Sequence, residues 1–133
     1  MTHTQRILAA GVTGLLIAAC GKSSTSPSNV PPPGSTPSVL TNTITITSAG
    51  ASPRNIEIAL GSRVLFVNND SRSHNMTSDP HPAHDDCPDL NQVGFLAPGQ
   101  NRETGNLVTP RTCGFHDHDN PSQGLLTGQI VIK

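Results

Sequence analysis

The stretch "TITIT", residues 43–47, alternates threonine with Ile44 and Ile46. Its apolar face repeats at a period of two, which a strand can bury and a helix cannot. The pattern returns in "NIEIAL" around Ile56 and Ile58, and "RVLFVN" is a β-branched and aromatic run that suits burial on both faces. A last strand, "GQIVIK", closes the chain. Turn residues punctuate these runs in "ALGS", "NNDS" and, near Pro98, "APGQ". No window holds a helical period. Short strands at this density predict an all-β, antiparallel sandwich with Greek-key connections. The interval from Ser71 to Gln92 breaks the pattern, being polar, proline-bearing and rich in histidine, and it is expected to be a functional loop.

Ahead of the strands, Arg6 precedes an apolar run, "ILAAGVTGLLIAA", which has the length of a signal-peptide core and is too short to span a bilayer comfortably. It ends in "LIAAC", which resembles the bacterial lipobox. That resemblance implies a signal peptide over residues 1–19 and a lipid on Cys20, so the expected location is the cell envelope, membrane-anchored and facing the periplasm or exterior. Residues 20–40, rich in Ser, Pro and Gly, cannot bury an apolar face and are expected to form a tether that "PPP" stiffens toward polyproline II. Residues 41–133 remain, about 93 positions, enough for one small core.

A net charge of −1, with 13% charged residues, provides no basic surface for nucleic acid. Phosphate-binding glycine motifs and a serine nucleophile elbow are absent, so an enzyme is not expected. Histidine is the conspicuous chemistry. His3 belongs to the signal, and the other five, His74, His81, His84, His116 and His118, fall in two patches that a sandwich can bring to one end. Together with Cys87 and Cys113, in a domain lacking tyrosine and tryptophan, they point to a metal.

"GSRVLFVNNDSRSHNM", then "LAPGQ", "TCGFHDH" and "GQIVIK" resemble a cupredoxin, the fold of plastocyanin, azurin and the phytocyanins. The resemblance implies copper as cofactor, with His74 as the first ligand, Cys113 as a thiolate ligand and His116 or His118 as the second histidine. Asn75 would steady the ligand loop. A soft thiolate with two imidazoles suits both oxidation states of copper. Two residues separate Cys113 from His116, as in plastocyanin. Four separate it from His118 and four more lead to Gln123, as in phytocyanins with an axial glutamine. Leu126 stands where plastocyanin-like chains carry the axial Met, and Met76 is expected in the core. The function implied is one-electron transfer, with copper, a redox partner protein and the membrane as partners.

The oxidising compartment opens a second possibility. Cys87 and Cys113 can pair, closing a loop of about 26 residues and contributing on the order of 3 kcal/mol. Copper would then rest on histidines alone, His74, His116 and His118 with help from His81 or His84, in a copper-binding or sequestering module without an intense blue centre. A third alternative comes from "GFHDH", which resembles a stretch of copper-zinc superoxide dismutases. "DPHPAHDDCP" offers an additional metal site, but a solvated proline-rich loop is the simpler reading, and Asp117 and Asp119 receive no role.

Overall fold

The computed structural model describes residues 39–133. The expected signal peptide, Cys20 and all of the tether up to residue 38 lie outside the described residues. Strands β1 (Val39–Leu40), β2 (Thr43–Thr47), β3 (Gly50–Ser52), β4 (Asn55–Ile58) and β5 (Leu65–Asn68) form the first half of the fold. The second half contains β6 (His74–Ser78), β7 (Gly94–Leu96), β8 (Asn101–Glu103), β9 (Arg111–Asp117) and β10 (Gly128–Ile132). The only helical pieces among the described residues are short 3-10 turns at Pro88–Gln92 and Gly124–Leu126. One sheet runs β1-β4-β10-β9-β6-β7 and the other β3-β2-β5-β8.

The all-β sandwich expected from the alternation is present, but its sheets are mixed. β1 and β10 both run parallel to β4, and β2 runs parallel to β5. Here the chain leaves one sheet for the other between β4 and β5 and again after β5, so strands distant in sequence meet in parallel.

Alternation decides which side chains meet between the sheets. Ile44, Ile46, Phe66, Ile56, Ile58, Ile130 and Ile132 point inward, each nearly or wholly buried. Val67 is only partly buried, so "RVLFVN" has one buried face rather than two. Phe66 of β5 and Phe115 of β9 pack edge to face across the sandwich, ring centroids 5.4 Å apart. Met76 is fully buried, as expected. The tight connection between β2 and β3 needs Gly50, whose φ is +109° and whose missing Cβ leaves room for the Leu125 carbonyl.

One expectation about loops is corrected. Residues 74–78, placed by sequence inside a long loop, form β6, paired with both β7 and β9. Its polar residues escape the usual hydrophobic signature because interior partners satisfy them: Thr77 Oγ1 donates to Asn91 Oδ1 (2.7 Å), and the Ser78 N–H donates to the same oxygen (2.8 Å). Cys113 and His116 lie within β9.

Candidate metal centre

Two segments build the site. β6 delivers the chain into residues 79–87, which fold back over the end of β9, while β9 carries His116 and leads directly into His118. The β6–β9 register sets Thr77 opposite His116 and Met76 opposite Asp117. The Asn75 carbonyl accepts the His118 N–H at 2.7 Å. The loop is tied at both ends, by the Asp79 N–H donating to the Gly114 carbonyl (3.1 Å) and by the disulfide between Cys87 and Cys113, whose Cα atoms are 5.8 Å apart.

The outcome is a group of four imidazoles, His81, His84, His116 and His118, each offering a nitrogen within 4.8 Å of the others. Ring centroids of His84 lie 5.0 Å from His116 and 4.9 Å from His118, and His81 lies 5.2 Å from His118. No other group of three or more His, Cys, Asp or Glu among the described residues is arranged to hold a metal. His81 is exposed, His84 and His118 are half-buried, and His116 is buried.

Hydrogen bonds fix how the rings face. His84 Nδ1 donates to the Ser78 carbonyl (2.8 Å), which can only accept, so Nε2 of the neutral ring carries the lone pair. That Nε2 lies 2.9 Å from His118 Nδ1, so the two rings share one proton between them. His116 Nδ1 lies 2.6 Å from Asp79 Oδ1. Its Nε2 is the one buried side-chain nitrogen or oxygen without a hydrogen-bond partner among the described residues. Such an orphan costs on the order of 1–3 kcal/mol. The electrostatics agree with a site that disfavours protons: His81 is held below the usual imidazole range by desolvation and then by His118, His84 and His116.

The residues singled out in the sequence are distributed differently. His116 and His118 belong to the cluster. His74 does not, because both of its nitrogens face carboxylates: Nδ1 lies 3.0 Å from Asp117 Oδ2 and Nε2 lies 3.2 Å from Asp70 Oδ2, all three side chains being buried. The Cys113 sulfur is bonded to Cys87 in the core, so it is not available as a copper thiolate. Gln123 is exposed, its N–H bonded to the Asn120 carbonyl, and it stands outside the cluster. Asn75 meets the end of β9 and the residue after it through its main chain: its N–H donates to Asp117 Oδ1 (2.9 Å) and its carbonyl accepts the His118 N–H. Leu126 is buried in the core.

His81 and His84 carry more than the sequence reading gave them. Their signal was the pair three residues apart just before Cys87, and proline on either side of His81 made a solvated loop the simpler reading. Asp117, left without a role, is wholly buried. Burial acts to raise its pKa, but hydrogen bonds from the Asn75 N–H, His74, Asn120 and the Asp119 N–H outweigh it and hold the group below the usual carboxylate value.

An all-imidazole donor set suits copper, zinc or nickel, and the orphaned Nε2 of His116 gives such an ion a buried lone pair. A copper-thiolate centre does not fit, since the sulfur is consumed.

No protein-family model matches this chain, and no curated protein matches it in sequence. Solved structures do resemble it in shape. The novel purple cupredoxin from Nitrosopumilus maritimus superposes with a TM-score of 0.53 at 20% identity, covering 68% of this chain and 98% of that one. The oxidised plastocyanin of Dryopteris crassirhizoma gives 0.54 at 19% identity, covering 68% of this chain and 99% of that one. An oxidised amicyanin mutant gives 0.53 at 16% identity, covering 68% of this chain and 80% of that one. At these identities the likeness establishes the fold, and the described residues form a cupredoxin-like domain.

Proposed function

We propose that this cupredoxin-like domain is a copper-binding protein of the cell envelope that holds the ion through His81, His84, His116 and His118, with Cys87 and Cys113 joined as a structural disulfide. The observation that carries the reading is His116, whose Nε2 is buried without a partner on a ring that offers a nitrogen within 4.8 Å of three other imidazoles. Neutral imidazoles bind divalent transition metals strongly, and copper heads that order of affinity. Copper supplies a one-electron couple when bound. The chain's own residues supply a cage between the end of β9 and the loop after β6, with an exposed edge at His81 through which the ion can enter and leave. Binding an ion and handing it on is the role that this exposure favours.

A second reading, a one-electron carrier acting with a redox partner protein, is favoured by the oxidised, reduced and Cu(I) forms in which plastocyanin and amicyanin are known. Both readings share the metal. The purified chain should bind about one Cu(II), and His116→Ala, which removes the buried ligand, should weaken binding by at least the roughly 10–100-fold typical of losing even an outer contact to a site. Titration with copper, monitored by equilibrium competition against a chelator, checks this. A wild-type chain that retains no copper defeats the reading.

Anchoring follows from "LIAAC" and the tether after it. Cys20→Ser should move the protein from the membrane fraction to the soluble one, and unchanged partitioning into detergent would rule out a lipid at this position.

A further inference from the structure

The four imidazoles are not equivalently held, and the difference lies at His116. Its Nδ1 meets the Asp79 carboxylate at 2.6 Å, while its Nε2 is buried with no partner. A carboxylate accepts but does not donate, so in the neutral ring this contact assigns the proton to Nδ1 and the lone pair to Nε2. The opposite tautomer would set two lone pairs against each other at Asp79 and aim an N–H into the cluster. Asp79 is itself placed by backbone: its N–H donates to the Gly114 carbonyl and its own carbonyl accepts the Asp86 N–H (3.0 Å). Its carboxylate lies over Gly114, in the space a Cβ there would need. Strand β9 therefore carries, two residues before the buried histidine, a position where a side chain would push the orienting carboxylate aside.

We propose that Asp79 is the positioning residue of the site: it accepts the hydrogen bond from the Nδ1–H of His116, leaves Nε2 free to bind the ion, and requires glycine at 114 in order to do so. The proposal rests on the four-histidine copper reading and adds to it the residue that orients the buried ligand. Carboxylates that accept from a metal-bound imidazole fix its tautomer and raise its basicity, and losing one costs roughly 10–100-fold in metal affinity.

The test uses the full chain and three variants, Asp79→Ala, Asp79→Asn and Gly114→Ala. Nitrogen-15 NMR of the metal-free protein at about pH 8, where free imidazoles are neutral, should find His116 in a single form protonated at Nδ1. In Asp79→Ala it should become a mixture, with strand content by circular dichroism unchanged. Copper affinity should fall roughly 10–100-fold in the same variant. Gly114→Ala, which retains the carboxylate but displaces it, should act in the same direction. Asp79→Asn keeps the shape; an amide can accept from or donate to Nδ1, so it should also loosen the tautomer. A wild-type chain without copper affinity would remove the metal reading and this role together. Copper binding by the wild type with equal affinity in Asp79→Ala, or an unchanged His116 tautomer in that variant, would overturn the role of Asp79 alone.

Discussion

His74 shows how a residue can be prominent in sequence and act differently from its likeness. It opens β6 beside an asparagine, as a copper ligand would, yet its ring is enclosed by Asp70 and Asp117. Asp117 comes from the far end of β9 and meets His74 only because β6 and β9 pair, which local sequence pattern does not express. Removing one member of a buried charged group leaves the rest unpaired, so His74→Ala should destabilise the fold by roughly 3–5 kcal/mol. The acid limit belongs to the same residues. Burial acts to raise the Asp70 pKa, but hydrogen bonds from Arg72, His74 and the Ser71 N–H outweigh it and bring it from 3.8 to about 2. A carboxylate depressed in the folded state contributes stability above its unfolded pKa and loses it as pH falls toward the folded value. Denaturant unfolding should therefore show stability falling between about pH 4 and pH 2, with a shallower fall in His74→Ala. An equal slope in the two proteins would remove this group from the account.

At the scale of elements, the disulfide and β9 do what no single strand could. Cys113 lies in β9 three residues before His116, and Cys87 ends the loop that carries His81 and His84, so one covalent bond joins the two histidine-bearing segments. The pairing was one of two futures open to these cysteines in the sequence, because spacing alone does not say whether a sulfur meets a metal or another sulfur. The strands "TITIT" and "GQIVIK" were legible from alternation, whereas β6 was not, since a strand of His, Asn, Thr and Ser looks like a loop until its neighbours supply hydrogen bonds. The double variant Cys87→Ser/Cys113→Ser should lose about 3 kcal/mol, the loop-closure contribution of a 26-residue separation. Thermal unfolding measures it. It should also bind copper more weakly, because the His81–His84 loop would no longer be tied beside β9. Retained copper affinity with lowered stability would confine the disulfide to the core.

Across the whole molecule, a cupredoxin-like sandwich presents a histidine cluster where the loop after β6 folds over the end of β9. The fold was legible because inward-facing isoleucines repeat at a period of two. The histidine cluster was half legible: His116 and His118 stood out beside Cys113, while His81 and His84 were obscured by the prolines around them. The central claim is that imidazoles, and not a thiolate, hold the metal. It is tested most directly by the visible spectrum of the Cu(II)-loaded chain together with a count of free thiols in the Cys20→Ser background. The account predicts a pale protein with no free thiol, since imidazoles cannot supply the intense charge-transfer band of a copper-thiolate centre. An intense band that disappears in Cys113→Ser and survives in Cys87→Ser would contradict it.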